Sequence, residues 1–408
     1  GDAHLAAEQA MYNFMPAAVY EKWLNDMNDL QWTNGELPAV VPTPGFGYDW
    51  GNGPAWDSAF LLIPDYLYEY YDDTRVLEDH YDSMKLYVDY LTGHATNGIV
   101  SIGLGDWVPV KTDTPVPVTS TAYYFKDAQM VSQTAALLGH PVDAEKYSEL
   151  AERIKADFNR EFYHAATGIY ANGSQTALSC ALYQGLVMPE NRSLVLSNLV
   201  AAVAKTGGHI DTGILGAKYI LNALLENGRA DVAYQIVSQT NFPGWGWWME
   251  QGATTLWEGW NGGGSHNHIM FGDISAWFYK ALAGINADPA APGFKHIIIR
   301  PNCVGNLSFV RATYDSIHGP IVSDWKLSRS KFNLHVEIPA NTSATVYVPH
   351  AKVDEVREGG ELAKKATGIV ACRQEPNAAV FEIGSGSYEF NCPLAAKTND
   401  LGADQAAN

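Results

Sequence analysis

The spacing of apolar residues changes once along the chain. Up to about residue 285 they recur three and four positions apart, the signature of helices with one buried face. Residues 74–93 put Tyr81, Met84, Val88 and Leu91 on one stripe and run to Gly93, which the pattern marks as the stop. In 143–160, Asp143 stands as N-cap before the stripe Tyr147, Leu150, Ile154 and Phe158. Comparable segments cover about 5–12, 16–30, 55–71, 120–138, 175–186, 190–205, 212–226, 229–238 and 266–283. The pattern predicts a mostly α architecture of helical hairpins, arranged as an open solenoid or a closed toroid. No fixed-period repeat is present, which weighs against the solenoid.

Beyond the boundary GINADPAAPGF (284–294) the period becomes two. HIIIRP, LSFVRATY, GPIVSDWKL, FNLHVEIP, SATVYVP, TGIVACR, AAVFEIG and YEFNC read as short strands of an antiparallel β-sandwich. The expected organisation is therefore a helical domain over 1–286, a sandwich over 287–394 and a small polar tail over 395–408.

Charge narrows the partners. Asp and Glu number 45 against 26 Lys and Arg, a net charge of −19. Nucleic acid and anionic membranes reward basic patches, so neither is expected as a partner. No apolar run approaches the roughly 18 residues of a membrane span. The four cysteines, Cys180, Cys303, Cys372 and Cys392, lack CxxC or Cys/His metal spacing; no metal or cofactor is implied. No signal peptide is legible at Gly1, which leaves secretion open; for a bacterial protein a periplasmic or secreted location is expected over a cytoplasmic one.

The aromatic content points to chemistry. Of the 12 Trp, Trp245, Trp247, Trp248, Trp257 and Trp260 crowd into one Gly-rich stretch. Three loop segments set carboxylates beside Trp: GFGYDWGNGPAWDSA (45–59), GLGDWVP (103–109) and GWGWWMEQGATTLWEGWNGGGSHNHIMFGD (244–273). An acid beside a flat apolar ring is the composition of a carbohydrate site, although a single Asp-Trp pair is as readily a loop capping a buried ring. Glu258, flanked by Trp257 and Trp260, stands out as an acid–base group in an apolar wall, or else as a helix cap or ion-pair partner. Trp260 is expected to offer its face to a sugar. His266 and His268 suit hydrogen bonds to hydroxyls better than a metal, since no third ligand accompanies them. GxSxG, P-loop and GxGxxG elements are absent.

Several of these stretches carry a resemblance. YNFMPAAVYEKWLNDM, AWDSAFLLIPDYLYEYYDDTRVLEDHYDSMKLYVDYL, GDW, GGHIDTGILG, GATTLWEGW, SHNHIMFGDISAWFYKALAGI and PGFKHIIIRP together resemble glycoside hydrolase family 78, the inverting α-L-rhamnosidases, over almost the whole chain. The resemblance implies an (α/α)6 toroid followed by a C-terminal β-sandwich, and hydrolysis of terminal α-L-rhamnosides. It implies that Glu258 in TTLWEGW is the general base, that His268 in SHNH binds the sugar, and that Trp56 and Trp107 line its pocket. By the same resemblance Asp2 in GDA holds sugar hydroxyls. Asp57 lies in AWDSA, where the family more often has GWGDA.

The family's general-acid Glu lies upstream of GDA, in a stretch like DERxGWTGD. This sequence starts inside that motif, so the expectation is a chain cut from a longer protein; the competing reading gives the acid role to Asp49, Asp57 or Asp106. Two other functions stay open at this point: a lyase releasing rhamnose from a uronic acid on the same barrel, and a non-catalytic rhamnoside-binding fragment. The linkage and the oligomeric state are not legible.

Overall fold

A computed structural model describes residues 1–43, 45, 47–328 and 330–393. The tail read over 395–408 lies outside the described residues. Two compact units divide at Phe278/Tyr279, ahead of the 286/287 division read from the sequence. The difference arises because Ile285–Ala287 pairs with His296–Ile299 as a strand of the second unit.

The first unit is built from six helical hairpins: Ala7–Asn13 with Ala17–Leu30, Ala59–Tyr71 with Arg75–His94, Val116–Leu137 with Pro141–Phe162, Gln175–Tyr183 with Arg192–Lys205, Ile214–Glu226 with Ala230–Val237, and Trp245–Glu250 with Asp273–Trp277. One helix from each pair forms an inner ring. Ala7–Asn13, Ala59–Tyr71, Val116–Leu137, Gln175–Tyr183, Ile214–Glu226 and Asp273–Trp277 each contact the next, and the last contacts the first. Composition assigns the layers. ILGAKYILNALLE and AFLLIPDYLYEYY are apolar nearly all round and are buried on most sides, whereas Arg75–His94 and Pro141–Phe162 bury one stripe and turn their charges outward.

Three local expectations change. Gly93 lies inside its helix, which ends at His94, and does not adopt the left-handed conformation of a terminating glycine. Asp143 sits in the first turn after Pro141 and accepts hydrogen bonds from Tyr81 and Lys85. The long helix expected over 266–283 is instead a 3-10 turn Ile269–Phe271, the helix Asp273–Trp277, and a π-helical turn Phe278–Ala283.

A buried ion cluster closes the ring. Lys218 Nζ lies 2.7 Å from Glu8 and 2.8 Å from Asp273, joining the first, fifth and sixth hairpins. Asn222 donates to the other Asp273 oxygen at 3.0 Å, and the hydroxyls of Tyr66 and Tyr70 approach Glu8. Burial alone would push the Lys218 ammonium towards neutrality, but Asp273 and Glu8 outweigh it and hold the proton well above the usual lysine range.

The second unit contains a six-stranded sheet, in the spatial order Glu361–Leu362, Arg357–Glu358, Gly386–Pro393, Lys331–Ile338, Gly319–Leu327, Phe309–Ser316. The other sheet runs Ile369–Glu375, Ala378–Ile383, Ser343–Pro349, His296–Ile299, Ile285–Ala287. Phe332, Leu334, Val336 and Ile338 alternate inward, and Phe390 of one sheet stacks on Phe381 of the other at 5.4 Å. Pairing is antiparallel apart from His296–Ile299 against Ser343–Pro349, which is parallel.

Candidate active site

Three segments from separate hairpins meet at one end of the helical ring. Gly53 and Gly103 lie in such close contact that a Cβ on Gly53 would sit 2.9 Å from the Gly103 backbone; the positive φ of Gly53 suits the same residue type. This brings 45–59 against 103–109, and the Trp50 and Trp107 rings meet edge to face at 6.4 Å. Asp106 then ties 103–109 to the fifth hairpin. Its carboxylate accepts from the N–H groups of Gly213, Leu215 and Gly216 at 2.8–3.0 Å and from the Thr176 hydroxyl at 2.5 Å. Trp260 Nε1 donates to Thr212 O at 2.8 Å, which docks the 244–273 segment on the same turn.

Glu258 is presented by a folded-back loop. Its N–H donates to Ser265 O, Gly259 N–H to Gly263 O, and His268 N–H to Leu256 O. The Ser265 N–H donates to Glu258 Oε2 at 2.7 Å. Gly264, at φ +77°, has to be glycine for two reasons: the backbone is left-handed, and a Cβ there would collide with the Glu258 carboxylate. His268 Nε2 stands 2.7 Å from Asp2 Oδ2, and its Nδ1 stands 3.7 Å from Glu258 Oε2. Asp2, His268 and Glu258 thus form one chain of polar groups, with Glu258 bordering a cavity of about 290 Å³. Val108, Pro109, Val110 and Phe242 line the other side. Val108 holds φ +49°, a strained conformation for a β-branched residue, at the point where the chain turns from Trp107 into the cavity wall.

The structure brings Asp2, His268 and Glu258 together and gives the other expected site residues different surroundings. Trp260 borders the cavity but is only 2% exposed: it stacks on Trp248 at 4.9 Å and meets Trp245 edge to face at 5.1 Å. Trp257 stacks on His266 at 4.2 Å, and His266 Nε2 donates to Gly262 O. The wall expected around Glu258 is thus a packed aromatic core behind the loop, and the Glu258 side chain itself remains 29% exposed. Trp56 is 8% exposed, its ring against Gly1. Trp107 and Trp50 are the indoles left open to solvent here, at 37% and 44%. Asp49 is exposed on its loop. No group of three His, Cys, Asp or Glu among the described residues is arranged to hold a metal ion.

Asp106 is a helix cap in this arrangement. Burial pushes its carboxyl up while its four donors pull it down, and no lone pair direction is left for a ligand. Asp106→Ala would orphan three backbone N–H groups at the start of Ile214–Glu226. The expected loss is about 3 kcal/mol, measurable as a lower midpoint in urea denaturation; an unchanged midpoint would contradict the capping role.

Asp57 and Asp127 sit behind the site. Asp57 accepts from the Gly53 N–H at 2.6 Å and from the Tyr87 hydroxyl at 3.4 Å; Asp127 accepts from the Ser58 hydroxyl at 2.6 Å. One oxygen of each carboxyl is buried without a hydrogen-bond partner. Burial raises Asp57 well above the usual carboxylate range and pushes Asp127 up to about 8. The folded chain therefore keeps a proton on Asp127 that the unfolded chain releases near pH 4, so stability is full below about pH 4 and declines as pH rises towards 8. Asp127→Asn keeps an oxygen for Ser58 and is expected to flatten that decline, gaining on the parent between pH 5 and 8 in urea midpoints. A difference that stayed constant with pH would contradict it.

An inner and outer ring of six helical hairpins defines the six-hairpin glycosidase fold. A family model described as the bacterial alpha-L-rhamnosidase six-hairpin glycosidase domain matches residues 1–282, and one for the bacterial alpha-L-rhamnosidase C-terminal domain matches 284–363. The chain belongs to the bacterial α-L-rhamnosidase family. It is 34% identical over 404 residues to an α-L-rhamnosidase of Streptomyces avermitilis, covering 96% of this chain and 38% of that one. An Alteromonas α-L-rhamnosidase is 29% identical, covering 91% and 43%. The solved α-L-rhamnosidase of Dictyoglumus thermophilum superposes with a TM-score of 0.89 at 37% identity, covering 96% of this chain and 45% of that one. The solved Streptomyces avermitilis enzyme complexed with L-rhamnose also reaches 0.89, at 33% identity and coverages of 96% and 38%. The chain spans less than half the length of these relatives.

Proposed function

We propose that this chain carries the rhamnose-binding and water-activating half of an inverting α-L-rhamnosidase. The observation that carries the reading is the Asp2–His268–Glu258 chain, whose Glu258 end borders the cavity. Glu258 takes a proton from a water molecule, whose oxygen attacks the anomeric carbon of a terminal α-L-rhamnoside from the side opposite the leaving oxygen. The bond to the leaving oxygen breaks as that oxygen receives a proton from an acid on the other face, and β-L-rhamnose is released. His268 is held by Asp2 and Asp2 has a second oxygen, so the pair suits recognition of ring hydroxyls. The Ser265 N–H fixes the Glu258 carboxylate while leaving its other oxygen for water.

Among the carboxyls weighed as acid, Asp57 and Asp106 are buried and bonded to the protein, and Asp49 is exposed. An aryl α-L-rhamnoside, whose leaving group needs little protonation, therefore gives the most direct assay. Release of the aryl alcohol together with free rhamnose supports hydrolysis. An unsaturated uronate formed from a rhamnosyl-uronate, with no cleavage of the aryl rhamnoside, would replace this reading with a lyase.

A further inference from the structure

A second cavity, of about 720 Å³, adjoins the first across Val110 and Phe242, which line both. It lies between residues 110–112, the start of helix Gln175–Tyr183, and the turn that follows helix Arg192–Lys205. Much of its polar wall is bonded within the protein. Gln175 Nε2 donates to Thr206 Oγ1 and to His209 O. Asp211 accepts from the N–H groups of Lys111 and Thr112 and from the Thr112 hydroxyl, and His209 Nε2 lies 2.8 Å from Asn241 Oδ1.

Two ammonium groups stand apart from this network. Lys111 and Lys205 line the cavity, are exposed, and form no ion pair with any described residue. Elsewhere in the helical unit Lys22, Lys85, Lys146 and Lys218 sit against carboxylates, while Lys155 donates to the Gly185 carbonyl. Two unpaired cations in one cavity, next to a site that handles a glycosidic bond, are matched by an anionic ligand.

We infer that this second cavity binds the sugar to which the terminal rhamnose is attached, and that it selects a uronate, whose carboxylate is held by Lys111 and Lys205. The inference rests on the rhamnoside reading of the Glu258 site. Val110 and Phe242 line both cavities, so a sugar chain that starts beside Glu258 can pass these two residues into the second. Asp211 is the carboxylate facing this cavity, and its three donors hold it on the wall.

The test is calorimetry on the chain with three ligands: L-rhamnose, α-L-rhamnosyl-(1→4)-D-glucuronate and α-L-rhamnosyl-(1→4)-D-glucose. The uronate disaccharide is expected to bind about fivefold more tightly than its neutral counterpart at low salt, with the gap narrowing at high salt. In the Lys111→Ala/Lys205→Ala variant the two disaccharides should bind alike, with L-rhamnose affinity unchanged. Equal affinities for both disaccharides in the parent chain, with L-rhamnose still bound, would overturn the inference alone. Failure to bind L-rhamnose at all would overturn the rhamnoside reading and this inference with it.

Discussion

Glu258→Gln is expected to lower turnover of an aryl α-L-rhamnoside by about 10³-fold while leaving the dissociation constant for L-rhamnose within about threefold of the parent. Gln keeps the length of the side chain and offers an amide oxygen to the Ser265 N–H, so the loop between Leu256 and His268 has no cause to rearrange. The variant loses the ability to take a proton from water, the step that separates turnover from binding. His268 and Asp2 retain their 2.7 Å contact and their hold on the sugar. A fall in affinity as large as the fall in rate would make Glu258 a binding group, and near-parental turnover would remove it from the chemistry.

The largest effect on stability is expected at Lys218. Replacing it with Met leaves Glu8 and Asp273 as two buried carboxylates with no cation between them, a loss of about 3–5 kcal/mol. The cluster joins the first hairpin to the last two, so the damage falls on closure of the helical ring. The combined variant Glu8→Leu, Lys218→Met, Asp273→Leu removes the charges together and is expected to cost clearly less than Lys218→Met alone, because no buried charge is left uncompensated. Urea midpoints of the two variants decide this. A triple variant as unstable as the single one would locate the contribution in packing instead of charge.

Outer helices were legible because one face carries the stripe, as with Tyr147, Leu150, Ile154 and Phe158. The strands were legible from alternation, down to Phe332, Leu334, Val336 and Ile338. Trp245–Glu250 was not: Gly246 lowers its helix propensity, yet the same glycine lets the helix lie close against Gln239. The GDW motif looked like a ligand loop because a capping Asp and a binding Asp have the same neighbours in sequence; the target of Asp106 lies over a hundred residues away. Trp260 misled in the same way, since a Trp beside an acid does not reveal which way its ring turns. Glu8, Lys218 and Asp273 carry no local signal, because they lie on three separate helices and their meeting depends on ring closure. The Asp2–His268–Glu258 grouping was reached through family resemblance, and periodicity alone had no means of joining residue 2 to residue 258.

The central claim is that Glu258 delivers water to the face opposite the leaving group. A proton NMR time course of aryl α-L-rhamnoside cleavage reads this directly, because the anomeric signal of the first-formed rhamnose appears before mutarotation mixes the anomers. The account predicts β-L-rhamnose as the first product, absent with Glu258→Gln. First appearance of α-L-rhamnose, or undiminished release by the variant, would contradict it.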